Sequence, residues 1–373
     1  MKFFKVQMLM GMAVFSLILA NCSPAVTPPP GDTNILPYVV SIAGGGAHSL
    51  ALKNDGTLWC TGHAGLGQYG HGFYFGDNEY MQVATGVSLI ACGQNHSLLL
   101  KSGGALWATG RNETGQLGLG NTNSTNLWMA SISSVVQIAG GMNHSLALKN
   151  DGTLWATGAN DSGQLGLGHE NDTNIWAQVT NVDNGIKIAC GEGHSLFIRS
   201  DNFLFGTGFN GYGGLGSGGG NTNTWIQLLT GVSQIACGGN FSLALKTDGT
   251  LWATGRNLNG QLGTGTIIDT NFWTPVLSNV SQIACGYNHS IAIKTDGTLW
   301  ATGDNFYGQL GTGNTIDTNN WILVLSNVSK IACGYNHSIA IKTDNTLWAT
   351  GDNLDGQLGK NDNVDANAWV KIW

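Results

Sequence analysis

A histidine–serine pair returns at intervals of about 48 residues, and any fold proposed for the chain must answer to that period first. The histidines are His48, His96, His144, His194, His289 and His337, with Phe241 in the remaining copy, so the spacings are 48, 48, 50, 47, 48 and 48. An aromatic follows each at Trp59, Trp107, Trp155, Phe205, Trp252, Trp300 and Trp348. A "GQLG"-like turn then begins at Gly67, Gly115, Gly163, Gly213, Gly260, Gly308 and Gly356. A second aromatic closes each copy, at Tyr80, Trp128, Trp176, Trp225, Trp273, Trp321 and Trp369. A repeat of this length is one supersecondary unit that buries its apolar face only against its neighbours.

Each copy reads as four short strands. "QIACG" is one. In "SIAIKT" the large Ile291 and Ile293 flank the small Ala292. Large–small alternation, rather than apolar–polar, suits a sheet covered on both faces. Asp-Gly at 55–56, 151–152, 248–249 and 296–297 predicts a two-residue hairpin of the primed type, with Asn345 replacing glycine because Asn tolerates positive φ. "TLWATG" is the return strand, and the second aromatic is expected to open the fourth. The expected fold class is all-β, a seven-bladed β-propeller over residues 38–373. The final "AWVKIW" is expected to close the ring by pairing with the first blade near Val39 to Ala43, abolishing open edges.

The unit "IACGxNHSLALKxDGTLWATGxNxxGQLG" resembles the repeat of the regulator of chromosome condensation family, over about residues 38–373. The resemblance implies a seven-bladed propeller. It also implies, for the family's namesake, nucleotide exchange on a small GTPase through an inserted β-hairpin and basic chromatin contacts. The resemblance extends to exported bacterial members of the family, one of which binds a target protein through loops on one face, and so implies an exported binding scaffold.

The N-terminus carries Lys2 and Lys5 before the apolar run Val6 to Ala20 and then "LANCSP". This resembles a bacterial lipobox, so residues 1–21 are expected to be a lipoprotein signal peptide and Cys22 the lipidated residue. Residues 22–37, rich in proline, read as a tether. The expected location is the bacterial cell envelope, periplasmic or at the cell surface, with a lipid anchor in the membrane. Without residues 1–21 the chain has 13 basic against 22 acidic residues, a balance of −9. With no basic cluster, nucleic acid is not expected as a partner.

The repeated histidines read as structural. Catalysis needs a residue once, and a metal needs ligands converging on one ion. Each imidazole is expected to donate to a loop carbonyl. Cys92, Cys190, Cys237, Cys285 and Cys333 share the "IACG" context, with Gly44 and Gly140 in the other copies, and read as small buried residues rather than disulfide partners. "DNFYGQLGTGN" lacks the spacing and terminal Glu of a calcium loop. No nucleophile motif or P-loop is present, so neither an enzyme nor a cofactor is expected.

Binding should lie where the copies differ. Just before "NH" stand Gln94, Met142, Glu192, Gly239, Tyr287 and Tyr335; the loop after "LWATG" varies at Arg111, Phe209, Tyr212, Arg256, Phe306, Tyr307, Leu354 and Asp355. Gln94, Met142, Glu192, Tyr287, Tyr335, Phe306, Tyr307 and Tyr212 are the expected partner-binding residues, since aromatic side chains anchor interfaces. Repeat 1 is unusual: His63, Tyr69, His71, Phe73, Tyr74 and Phe75 lie between residues 63 and 81. They form either a patch for protein or glycan, or a cover over the ring closure. The expected function is a monomeric protein-binding scaffold, with carbohydrate binding as the alternative and GTPase exchange third.

Overall fold

The computed structural model describes residues 36–373; the signal segment, Cys22 and most of the tether lie outside the described residues. Seven antiparallel four-stranded sheets, each made of consecutive strands, form the blades. Blade 1 comprises Val39–Gly44, His48–Lys53, Leu58–Gly62 and Asp77–Ala84. Blades 2 to 7 occupy residues 87–130, 135–178, 185–229, 232–277, 280–325 and 328–371. First strands of adjacent blades adjoin one another around the axis, including those of blades 7 and 1.

The large–small alternation does what sheet-on-sheet packing requires. Ile339 and Ile341 of blade 7 pack with Ala51 of blade 1, and Leu98 and Leu100 of blade 2 with Ala147 of blade 3. Every second strand is buried except for its last residue. The second aromatic lies inside the fourth strand rather than opening it, and reaches the preceding blade. Trp128 covers Gly70, where an added Cβ would lie 2.6 Å from the indole; Tyr80 covers Gly359 of blade 7 at 2.5 Å.

The Asp-Gly turns differ from the expected two-residue type. Gly56 N donates to Lys53 O and Lys53 N to Thr57 O, both at 3.0 Å, and only Gly56 takes positive φ, at 78°. This is a three-residue loop: an ordinary turn followed by a left-handed bulge residue. Asn345, at φ 66°, fills the bulge position in blade 7. The aspartate acts through its side chain. Asp55 Oδ1 accepts from Thr57 N at 3.0 Å and Thr57 Oγ1 at 2.7 Å, and Thr57 Oγ1 accepts from Trp59 Nε1 at 2.9 Å. "DGTLW" is thus one hydrogen-bonded chain, repeated at Asp151, Asp248, Asp296 and Asp344.

Ring closure also differs from expectation. The tail Ala366–Lys371 pairs with Leu347–Gly351 of its own blade, not with Val39 to Ala43. Each blade is complete in itself, and the seam between blades 7 and 1 uses the contacts of any other interface. Tyr335 N donates to Gly45 O at 3.0 Å, Thr61 Oγ1 to Gly356 O at 2.8 Å, and Asn361 N to Asn78 O at 2.9 Å. The end of the tail reaches across the seam: Trp373 packs on Tyr80 at 4.7 Å and Trp59 at 5.7 Å.

Candidate functional site

The loops between first and second strands and those between third and fourth strands emerge on the same face, because the strands alternate in direction. The first set forms a closed circuit of backbone hydrogen bonds. Gly46 N donates to Gln94 O, Gln94 N to Gly141 O, Met142 N to Gly191 O, Glu192 N to Gly239 O, Gly239 N to Tyr287 O, Tyr287 N to Tyr335 O, and Tyr335 N to Gly45 O, over 2.8–3.2 Å. Below it an axial cavity of about 200 Å³ is lined by the five "IACG" cysteines, which are unpaired and half-buried at the axis. They line the axis and also pack against the blade cores. Burial pushes the Cys333 thiol up to about 12.

The histidines stand one layer further out, and their partner is not the loop carbonyl expected. His144 Nε2 lies 2.9 Å from Ser195 Oγ of the next blade, and Ser195 Oγ donates to Gln164 O at 2.7 Å. The hydroxyl's one proton goes to the carbonyl, so the imidazole Nε2–H must donate to the hydroxyl. The same relay joins His96 to Ser145, His289 to Ser338 and His337 to Ser49, the last across the seam at 2.8 Å. His48 and His194 reach Ser97 and Ser242, both at 2.9 Å. Desolvation holds all six imidazoles at about 3 to 4, so they are neutral. They are not available as acids, bases or ligands at the surface.

The expected binding residues divide. Met142, Glu192, Tyr287 and Tyr335 line the mouth of the axial cavity. Tyr287 and Tyr335 stack at 4.7 Å with 30° between their planes, and Tyr287 Oη donates to Glu192 Oε2 at 3.0 Å. Burial and the Glu192 carboxylate hold the Tyr287 phenol above its ordinary range. Met142, Glu192 and Tyr287 continue into a groove of about 580 Å³ over blades 2 to 6, where Tyr212 joins them. Gln94 is a member of the circuit, with its side chain beside Gly46 and outside this groove. Phe306 and Tyr307 pair edge-on at 5.0 Å elsewhere on the face, with Phe306 71% exposed.

Residue reading missed what creates the groove. Where five copies carry a side chain, blade 5 has Gly239, as blade 1 has Gly46, and an added Cβ at Gly239 would lie 2.8 Å from the Tyr287 ring. The gap lets Tyr287 of blade 6 lean across blade 5 to Glu192 of blade 4, which also accepts from Asn240 Nδ2 at 2.8 Å. Asp161 and Asp172 line the groove as well; Asp161 stands at the variable position that Phe306 and Leu354 occupy, whereas Asp172 stands where Asp269, Asp317 and Asp365 recur and so is not marked in the sequence. The unusual loop of repeat 1 does not cover the seam. It bridges toward blade 2 through His71 and Leu127, with Tyr69 buried and Phe73, Tyr74 and Phe75 exposed.

The repeat model described as "Regulator of chromosome condensation (RCC1) repeat" matches residues 39–68, 87–116, 135–164, 186–213, 232–261, 280–309 and 328–357, and a second model of the same description matches 103–148, 151–198, 248–293 and 296–341. No curated protein sequence matches the chain. Among solved structures, human WBSCR16 is 27% identical, covering 81% of this chain and 86% of that one, with a TM-score of 0.73. Yeast RCC1 (Prp20), bound to Kap60, is 20% identical over 90% of this chain and 85% of its own, with a TM-score of 0.77. Prp20p from Saccharomyces cerevisiae, at 20% identity, covers 90% and 87% with a TM-score of 0.76. With matched repeats in every blade of a seven-bladed propeller, the chain belongs to the regulator of chromosome condensation (RCC1) repeat family.

Proposed function

We propose that the chain is a non-enzymatic, monomeric protein-binding scaffold, held in a bacterial cell envelope by lipid on Cys22, that takes its partner on the face bearing the groove. The observation that carries this reading is the groove itself: it is large enough for partner side chains and walled by Tyr212 and Tyr287. Protein binding recurs among the structural neighbours. Yeast Prp20 is described bound to Kap60 and in its binding to Gsp1p and histones. A photocrosslinking residue at Tyr212 should capture a protein in the native envelope, whereas one at Thr247, in a hairpin on the opposite face, should not. Tyr287→Ala should weaken that capture by about tenfold, as loss of an aromatic anchor does. Adducts confined to Thr247 would place docking on the other face.

The anchor has its own test. Acyl chains on Cys22 would supply the apolar burial that retains the protein. Cys22→Ser should shift it from the membrane fraction to the soluble one, and retention of a correctly cleaved mutant would end the lipidation reading. One observation favours glycan binding as a second reading. Phe73, Tyr74 and Phe75 are 55–58% exposed, and Phe73 and Phe75 lie 5.1 Å apart. Glycan-array binding abolished by Phe73→Ala with Phe75→Ala would support it over protein docking.

A further inference from the structure

Resting on the reading of this face as a docking surface, we propose that the groove accepts a basic side chain, lysine or arginine, from the protein partner, with Glu192 as the carboxylate that receives it. Three carboxylates line the groove, those of Asp161, Asp172 and Glu192, against one cation, Arg256. The ion pairs seen among the described residues are Arg111 with Glu113, Arg199 with Asp201 and Lys360 with Asp362, and all lie outside it. Each groove carboxylate is held by neutral donors through one oxygen. Asp161 Oδ1 accepts from Gln164 Nε2 at 3.1 Å, Asp172 Oδ1 from Asn160 N at 2.7 Å, and Glu192 Oε2 from Asn240 and Tyr287. The second oxygen of each has no donor among the described residues. Carboxylates positioned in this way gain most from a charge-assisted hydrogen bond with an incoming cation.

The aromatic walls favour the same occupant. The Arg256 guanidinium already lies over the Tyr212 ring, 5.2 Å from its centroid. The groove therefore holds one cation against an aromatic face, and after it the lining keeps an excess of two negative charges. Tyr287 is fixed by its stack on Tyr335 and its bond to Glu192, so it offers a rigid second wall at no further ordering cost. An acidic segment would meet three carboxylates with one arginine to answer them.

The probes are blocked tripeptides, Ac-Ala-Xaa-Ala-NH2, with Xaa lysine, arginine, norleucine or glutamate, titrated by NMR into the intact propeller at low and physiological ionic strength. Lysine and arginine peptides should bind and shift groove resonances, and norleucine and glutamate peptides should not. Glu192→Gln keeps an oxygen for Tyr287 and Asn240, so the wall survives, yet cation binding should weaken about tenfold or more. Asp344→Asn, in an exposed hairpin on the opposite face, should leave it unchanged. Norleucine binding as well as lysine, equal losses in both variants, or glutamate binding that Arg256→Gln removes would each overturn the proposal. If the Tyr212 crosslink forms equally well in Glu192→Gln, the docking face stands and the cationic occupant falls. If the wild-type crosslink fails while the lysine peptide still binds, the cation site stands and the docking face falls.

Discussion

On acidification the protein should unfold cooperatively between about pH 6 and pH 4, far above the range where carboxylates alone would undo it. Folded, the six buried imidazoles resist protons until about 3 to 4, while their ordinary value is 6.5. Below 6.5 the unfolded chain therefore binds more protons than the folded one, and stability falls with pH across that window. Each site contributes up to about 1.4 kcal/mol per pH unit, and six together about 8. A total stability of about 5–15 kcal/mol is consumed within roughly two units. Asp304 and Asp352, raised chiefly by burial, oppose the trend but are two against six. Circular dichroism against pH gives the midpoint. His289→Phe should flatten the acid limb, since Phe241 is fully buried at the equivalent position. His289→Ala should instead cost about 2–5 kcal/mol at every pH, as a cavity does. A midpoint below about pH 3.5, unmoved by His289→Phe, would mean that the relay accepts protons without opening.

Gly44→Ala should strongly destabilise the protein. Its Cβ would stand 2.4 Å from Gly334 N, 2.5 Å from Cys333 C and 2.6 Å from Cys333 O, all backbone atoms across the seam. Backbone cannot rotate away as a side chain can, so blades 7 and 1 must part. A loss of about 3 kcal/mol or more is expected. Gly220→Ala is the matched control, because nothing lies within 4 Å of its added Cβ. It should change stability by less than about 0.5 kcal/mol. Urea denaturation of the two variants separates them: equal midpoints would show that the seam has slack.

The histidine, tryptophan and glycine spacings were enough to read seven blades, because each anchor makes the same contact in every copy. The contacts between blades were harder to read. Ser195 follows His194 in sequence but serves His144, 51 residues earlier, so an adjacent pair of letters conceals a partnership between blades. The persistence of Ser242 beside Phe241 was the available signal that the serine has work apart from its neighbour. Gly44 and the five cysteines looked interchangeable, since both are small; only the approach of Cys333 backbone separates them. The groove was half legible. Glu192, Tyr212 and Tyr287 stood out as departures from the repeat, but Gly239 acts through an absence, and an absent side chain gives composition nothing to mark.

The circuit of loop hydrogen bonds bears on how the molecule can come apart. A linear array of repeats frays from its ends, where each terminal unit has one neighbour. Here every blade has two, and the bond from Tyr335 N to Gly45 O makes the noncovalent seam equivalent to the junctions the chain itself spans. Closing so long a loop is entropically mild, because the cost grows only with the logarithm of its length. No blade can therefore melt alone without breaking two interfaces. Amide exchange should be protected to a similar depth in all seven second strands, with no gradient toward the first or last blade. The propeller would then behave as a single cooperative unit several times larger than its repeat.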